Sequence, residues 1–87
     1  MNYELSKGGV FMAIKVYSTA TCPWCTVTKK YLKSKNVHFD ELDVANNRKA
    51  ALEMIEKSGH RGVPVIDING NIIVGFNQAT IDELLSA

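Results

Sequence analysis

The residues of this sequence best suited to redox chemistry are Cys22 and Cys25, which stand three positions apart around Pro23 and Trp24. Pro23 suits the first position of a helix, where no backbone N–H donor is needed, so the pattern predicts Cys22 as the N-cap. A thiol there faces unpaired N–H groups and the positive end of the helix dipole, and both favour the thiolate. We therefore predict that Cys22 is an accessible, ionised nucleophile. Cys25, one turn inside the helix, is predicted to attack a mixed disulfide on Cys22 and release the product.

Two other uses of the cysteine pair compete with this interpretation. The spacing Cys-x2-Cys is also half of a zinc site, with His38 and His60 as nominal further ligands. Zinc fingers place their histidines about three to five residues apart, which these two are not, and no second Cys-x2-Cys follows. Two inert core cysteines are the other alternative, but a proline and a tryptophan beside them indicate an exposed helix tip. We predict redox chemistry and no metal site.

Length, charge and hydropathy limit the class of protein. The chain has 87 residues, enough for one small domain, and its 46% hydrophobic and 22% charged residues exclude intrinsic disorder. Ten Lys+Arg against nine Asp+Glu give a net charge of +1, which offers no basic face for nucleic acid. No run of about 18 apolar residues exists, so no membrane segment is predicted. Two cysteines this close together would close almost no loop, which excludes a disulfide-built secreted scaffold.

The beginning of the chain differs from the rest. Residues 1–11 are polar and Gly-rich, without the basic and apolar regions of a signal peptide. Met12 stands directly before the first periodic segment. We interpret residues 1–11 as an N-terminal extension, either vector-derived or a natural leader strand, and residues 12–87 as the domain.

The elements that must position the cysteines begin with a strand. Residues 14–17 alternate β-branched and aromatic side chains, as strands do. The helix that starts at Pro23 is predicted to turn Val27, Tyr31 and Leu32 toward the core. Residues 37–44 alternate strictly and predict a second strand.

The second half of the chain is punctuated by asparagine and glycine. Asn46 or Asn47 is predicted to cap a helix that Gly59 ends, with an apolar stripe of Ala50, Ala51, Met54 and Ile55. Residues 63–68 and 72–74 predict two strands joined by a hairpin at Asn69-Gly70, because both central residues of a type I′ turn need a positive φ. Asn77 is predicted to cap a last helix that packs through Ile81, Leu84 and Leu85.

The predicted order β-α-β-α-β-β-α constrains the architecture. The first crossover places strands one and two parallel, and the hairpin adds an antiparallel pair. The fold class is therefore α/β, a four-stranded mixed sheet flanked by three helices. In open α/β sheets, ligands bind at the carboxyl ends of the parallel strands. Cys22 follows strand one at that end, so its position agrees with its chemistry.

Three segments of the sequence together resemble the glutaredoxin family. Residues 21–25 (Thr-Cys-Pro-Trp-Cys) look like the glutaredoxin active site, 62–64 (Gly-Val-Pro) like its Thr-Val-Pro loop, and 74–78 (Val-Gly-Phe-Asn-Gln) occupy the place of its Gly-Gly-x-Asp-Asp turn. The match covers residues 12–87. It implies the thioredoxin fold and a cis peptide bond between Val63 and Pro64, next to backbone that hydrogen-bonds the substrate as an added strand would.

The resemblance also implies which residues bind glutathione. With Cys22 and Cys25 as catalytic residues, the implied substrate-binding set is Thr21, Pro23, Trp24, Arg61, Val63, Pro64, Gly75, Phe76, Asn77 and Gln78. Phe76 either closes the groove over a ligand or only plugs the end of the hairpin. His60 is expected to be a solvated loop residue.

The sequence departs from the family pattern at charged positions. Thr19 stands where many glutaredoxins carry a cation for a glutathione carboxylate, and Asn77 and Gln78 replace the acidic pair that receives the γ-glutamyl amine. Arg61 and His60 are the residues that could supply a cation from the other side of the groove. An exposed salt bridge contributes about 0–1 kcal/mol, so we expect weaker glutathione binding, not its loss.

The leading hypothesis is a cytoplasmic, monomeric, glutathione-linked thiol–disulfide oxidoreductase acting on protein disulfides or glutathionylated proteins. Glutathione is its co-substrate, no cofactor is tightly bound, and glutathione reductase completes the cycle. The alternative keeps the chemistry but takes electrons directly from thioredoxin reductase and passes them to an acceptor such as ribonucleotide reductase. A third reading is an iron–sulfur or zinc binding module, which the rigid Pro23-Trp24 segment disfavours.

Overall fold

A four-stranded mixed sheet with helices on both faces carries the fold of residues 13–86, the part of the chain that the computed structural model describes. The extension predicted for residues 1–11 lies outside this part. The described part contains no helix long and apolar enough to cross a membrane. The elements follow the predicted order: β1 (Ile14–Ser18), α1 (Pro23–Ser34), β2 (Asp40–Asp43), α2 (Arg48–Ser58), β3 (Val65–Ile68), β4 (Asn71–Val74) and α3 (Gln78–Leu85).

The strands lie in the order β2-β1-β3-β4. β1 runs parallel to β2, with Val16 opposite Glu41, and antiparallel to β3, with Tyr17 opposite Val65. β4 pairs antiparallel with β3 through the hairpin. The two central strands are the most buried ones, as their position inside the sheet requires, whereas the outer strand β2 reads Asp-Glu-Leu-Asp.

The alternation of side chains along the strands divides the core in two. One cluster lies between the sheet and helices α1 and α3; its buried members are Ile14, Val16, Leu32, Ile66, Ile68, Ile73 and Ile81. The other lies under α2 and is built on Tyr17, Met54 and Val65. Because Ile14 and Val16 face one cluster and Tyr17 the other, β1 is covered on both faces. The strand that leads to Cys22 is therefore held from both sides.

The predicted turn and caps are confirmed. Asn69 and Gly70 have φ values of 53° and 91°, as a type I′ turn requires. Asn47, one of the two predicted candidates, caps α2 by accepting a hydrogen bond from Ala50 N. Gly59 ends α2 in the left-handed conformation.

Three predicted details are wrong. Val27 is exposed, because the buried face of α1 runs through Cys25, Thr28 and Leu32 and Val27 is turned about 100° away from Thr28. The second strand is shorter than predicted, and the third strand begins later than predicted.

The strand β2 begins only at Asp40 because the register pairs Asp40 with Lys15, one residue after β1 starts. Val37 and Phe39 instead pack on the core from the preceding connection, which satisfies their apolar pattern without strand pairing. The third strand begins at Val65, not Val63, because Pro64 has no N–H to donate to a ladder.

Candidate active site

Cys22 lies at the end of the loop that connects β1 to α1. The short turn after β1 is closed by a hydrogen bond from Cys22 N to Thr19 O of 3.4 Å. Cys22 then caps α1 as predicted: its backbone is extended, and its Sγ accepts a hydrogen bond from Cys25 N at 3.2 Å. Pro23 follows as the first helical residue. The half-exposed Cys22 therefore lies at the free N–H groups of the first helical turn.

Cys25 is held in a different environment, although it is only one turn away. Its side chain is completely buried on the core face of α1. Burial, helped by the hydrogen bond with Cys22, raises the pKa of the Cys25 thiol from 9.0 to about 11. Both cysteines are free. The pair is thus unequal: one sulfur is accessible at the helix tip, and the other is enclosed and protonated at neutral pH.

The loop before β3 faces Cys22. The Val63–Pro64 peptide bond is cis, as the resemblance implied. Val63 O lies 3.8 Å from Cys22 Sγ and accepts a hydrogen bond from the thiol. Arg61 and His60 are exposed on the same loop, and the His60 Nδ1 accepts a hydrogen bond from Gly62 N at 3.0 Å. The histidine ring is therefore bound to its own loop.

The turn after β4 closes the other side of the site. Gly75 has a φ of 82°, and its N–H donates to Pro64 O at 2.8 Å, which ties this turn to the cis-proline loop. Asn77 caps α3, with its Oδ1 accepting a hydrogen bond from Thr80 N at 3.1 Å. The carboxamide oxygen of Asn77 is thus used by the helix, while Gln78 is exposed in the first turn of α3.

Between these two loops and the tip of α1 lies a groove of about 300 Å³. It is lined by Trp24, Val63, Pro64, Gly75 and Phe76, all of which are in the predicted binding set. Trp24 is 60% exposed and stacks on Phe76 with ring centroids 6.1 Å apart and planes 19° apart. Thr21, Arg61, Asn77 and Gln78 are exposed on the surrounding loops. The role of the lining residues and of these loop residues in binding stays a prediction.

Other features of the surface lie away from the cysteines. A cleft of about 700 Å³ beside the last turns of α1 and α3, lined by Lys35, Asp82 and Leu85 among others, contains neither cysteine. Among residues 13–86, no three or more His, Cys, Asp or Glu side chains cluster closely enough to hold a metal ion.

The sequence reasoning missed one support of this groove. Tyr31 was predicted only as a core-facing helix residue, but its ring meets Phe76 edge-on with centroids 5.7 Å apart. Its hydroxyl donates a hydrogen bond to Asp82 Oδ1, which lies in α3. No local pattern could have shown this contact, because the two residues are 51 positions apart in the sequence.

Comparisons with known proteins agree with the geometry. The glutaredoxin family model matches residues 14–73. An uncharacterized glutaredoxin-like 8.6 kDa protein in the rubredoxin operon of Clostridium pasteurianum is 60% identical over 72 residues, covering 83% of this chain and 96% of that protein. Glutaredoxin 3 of Escherichia coli strain K12 is 40% identical over 65 residues, covering 75% of this chain and 78% of that protein.

A solved structure extends the similarity to three dimensions. The crystal structure of a glutaredoxin from Archaeoglobus fulgidus matches with a TM-score of 0.79 and 25% identity, covering 85% of this chain and 86% of that one. The shared architecture is the thioredoxin fold, and the family model spans the segment that carries Cys22, Cys25 and the cis-proline loop. The chain therefore belongs to the glutaredoxin family of thiol–disulfide oxidoreductases.

Proposed function

We propose that this protein reduces glutathione mixed disulfides and protein disulfides with glutathione as its reductant. The observation that carries the proposal is the unequal cysteine pair beside a groove: Cys22 is accessible next to the backbone of Val63, while Cys25 is buried behind it. A substrate lying in the groove would bring its sulfur to Cys22 and its backbone to Val63.

The proposed reaction consists of two exchanges. The Cys22 thiolate attacks the glutathione sulfur of a mixed disulfide, forms a new S–S bond and expels the reduced protein thiolate, which takes a proton from water. A second glutathione thiolate then attacks the bound glutathione sulfur, forming glutathione disulfide and releasing Cys22. Glutathione reductase returns the two electrons to glutathione from NADPH.

The state of Cys25 supports glutathione as the resolving thiol for such substrates. Attack by Cys25 on Cys22 requires a thiolate, and burial holds the pKa of Cys25 at about 11. Glutathione from solution does not have to overcome this burial. For a protein disulfide, where the second sulfur stays close, attack by Cys25 remains the second route and leaves a Cys22–Cys25 disulfide for glutathione to reduce.

The groove supplies few charges for glutathione. Arg61 is the cation nearest in sequence to Val63, and it is proposed to meet a glutathione carboxylate. Val63 would pair with the backbone of the tripeptide, as an added strand does. Trp24 and Phe76 would cover the ligand with apolar surface. The proposed affinity is therefore moderate and depends more on shape than on charge.

A second candidate is a redoxin that thioredoxin reductase reduces directly and that serves an acceptor such as ribonucleotide reductase. The observation that favours it is the neutral rim of the groove. Thr19 brings no cation, Gln78 is uncharged, and the Oδ1 of Asn77 already accepts the capping hydrogen bond from Thr80 N. An amino group of glutathione would find no carboxylate at these positions.

Reductant choice separates the two candidates. Wild type and Cys25→Ser are assayed on a glutathionylated peptide, once with glutathione and glutathione reductase and once with thioredoxin reductase. We expect glutathione-driven turnover in both proteins and none in Cys22→Ser. Turnover sustained only by thioredoxin reductase would reject the primary proposal in favour of the second, and residual activity of Cys22→Ser would refute Cys22 as nucleophile.

Arg61 offers a matched pair with Arg48, an exposed arginine at the start of α2. We expect Arg61→Gln to raise the KM for glutathione by up to about fivefold, the value of one exposed ion pair. Arg48→Gln should leave the KM unchanged. Equal values in both variants would remove Arg61 from the site.

A further inference from the structure

Three aromatic rings and one carboxylate form a continuous path from the active site into α3. The ring centroids of Trp24 and Phe76 lie 6.1 Å apart in a stack, and those of Phe76 and Tyr31 lie 5.7 Å apart with the ring planes at 78°. Tyr31 donates its hydroxyl hydrogen bond to Asp82. The path therefore begins beside Cys22, crosses the groove wall, and ends at a polar contact that joins α1 to α3.

The Asp82 end of this path is fixed by charge. Lys35 Nζ lies 3.7 Å from Asp82 Oδ1 and 5.3 Å from the centroid of the Tyr31 ring. The hydrogen bond to the Asp82 carboxylate raises the pKa of Tyr31, because the carboxylate accepts only from the protonated hydroxyl. A charge-assisted hydrogen bond at the phenol oxygen fixes the position of the Tyr31 ring, because this oxygen lies on the long axis of the ring.

The groove end of the path has less support. Trp24 is 60% exposed and Phe76 is only half-buried. Aromatic pairs in such arrangements gain energy from ring geometry as well as from burial. Phe76 stacks on Trp24 and packs nearly perpendicular to Tyr31, so a shift in the position of Tyr31 reaches Trp24 through Phe76.

We propose that Tyr31 is a positioning residue for the disulfide substrate: held by Asp82, it fixes Phe76 against Trp24 and so sets the width of the groove beside Cys22. This rests on the proposed function, in that the groove must be the place where the substrate lies. The role is one of shape only, because Tyr31 is neither a nucleophile nor a proton donor in the reaction. Substrates large enough to fill the groove should depend on it.

The experiment compares a large and a small substrate. The reduced protein reacts in single turnover with a glutathionylated peptide and with hydroxyethyl disulfide, and iodoacetamide alkylation measures the intrinsic reactivity of Cys22. We expect Tyr31→Phe to lower the rate constant for the glutathionylated peptide about three- to tenfold. Hydroxyethyl disulfide and iodoacetamide should react at wild-type rates. Asp82→Asn, which weakens the acceptor, should show the same pattern to a smaller degree.

Trp24 supplies an independent readout, because it is the single tryptophan of the chain. Tyr31→Phe should increase the quenching of its fluorescence by acrylamide, as the stack with Phe76 loosens. Tyr17→Phe is the matched control: this tyrosine also donates to a carboxylate, Glu53, but it belongs to the cluster under α2. It should change stability and neither the rates nor the quenching.

Trp24→Ala separates failure of this inference from failure of the proposed function. If Trp24→Ala leaves reaction with the glutathionylated peptide unchanged, the groove is not the substrate site and the role of Tyr31 falls with it, whereas the proposed function itself fails only if glutathione does not sustain turnover of the wild type. If Trp24→Ala slows this reaction but Tyr31→Phe does not, only the role of Tyr31 is overturned. A Tyr31→Phe variant that reacts more slowly with all three reagents alike would also overturn it.

Discussion

The two sides of the sheet contain the same set of groups around a tyrosine. Under α2, Tyr17 donates to Glu53 at 2.5 Å, and Lys57 Nζ lies 5.5 Å from the Tyr17 ring centroid. On the side of α1 and α3, Tyr31 donates to Asp82, and Lys35 lies over its ring. Each cluster thus consists of one phenol, one carboxylate and one ammonium group. We call the cluster of Tyr17, Glu53 and Lys57 the inner cluster and that of Tyr31, Asp82 and Lys35 the outer cluster.

Burial distinguishes the two clusters. Tyr17 is completely buried, and burial is the main cause that raises its pKa; Tyr31 is half-buried, and its pKa is raised chiefly by the hydrogen bond to Asp82. Lys57 extends the inner cluster to the buried Asp67, with 2.7 Å between Nζ and Oδ2, which joins α2 to β3. We infer that the inner cluster mainly stabilises the fold, and that the outer one shapes the groove beside Cys22.

The largest expected effect tests the inner cluster. Lys57→Met removes the ammonium group that donates to Asp67, so the Asp67 carboxylate is left buried without its charged donor. We expect this to lower the free energy of unfolding by about 2–3 kcal/mol. Activity below the unfolding transition should be unchanged. Urea unfolding and disulfide reduction measure the two quantities.

Lys49→Met is the control for that substitution, because Lys49 is exposed in the first turn of the same helix. It should change stability by less than about 0.5 kcal/mol. A Lys57→Met variant as stable as Lys49→Met would contradict a stabilising role for the inner cluster.

The next effect concerns the buried thiol on the active-site side. The pKa of Cys25 is raised from 9.0 to about 11, so the unfolded chain loses this proton first as the pH rises. The free energy of unfolding is therefore unaffected by this group below about pH 9. It falls by roughly 2 kcal/mol between pH 9 and 11, where the unfolded chain has lost the Cys25 proton and the folded chain still holds it. Urea unfolding of the reduced protein across this range should show a steeper decline in wild type than in Cys25→Ala. Parallel curves would mean that Cys25 is not shielded as the structure has it.

The smallest effect compares the asparagine caps of α2 and α3, which lie on opposite sides of the sheet. Asn47→Ala and Asn77→Ala should each cost about 1 kcal/mol of stability, since each side chain accepts one helical N–H. Only Asn77 follows Phe76, so only Asn77→Ala should also reduce turnover of a glutathionylated peptide, about two- to fivefold. Thermal unfolding and steady-state assays check both. An equal loss of activity in the two variants would indicate a general effect of destabilisation.

Local chemistry made much of the fold predictable. The hairpin at Asn69-Gly70 and the cap at Asn77 follow from what single residues do to neighbouring backbone, and the structure has both. The N-cap position of Cys22 follows in the same way from Pro23. The exposure of Val27 could not be predicted in this way, because a helix with apolar residues on two sides buries the side that fits its neighbours best.

In the candidate site, too, features set by neighbouring residues could be predicted and features set by tertiary packing could not. The inequality of Cys22 and Cys25 could be predicted from a helix start, since accessibility falls within one turn. The width of the groove could not, because it depends on Tyr31, Phe76 and Asp82, which only tertiary packing brings together. The same holds for Lys57 and Asp67, whose pairing across α2 and β3 has no sequence pattern.

The acidic outer strand β2 has a consequence for how molecules of this protein meet. An outer strand offers free N–H and C=O groups to any other strand, which is the usual beginning of aggregation. On β2, a strand approaching this edge would come close to the exposed carboxylates of Asp40 and Glu41. A second β2 would bring the same acidic side chains to this edge. Among residues 13–86, we therefore expect the sequence Asp-Glu-Leu-Asp to disfavour edge-to-edge pairing of β2 with another copy.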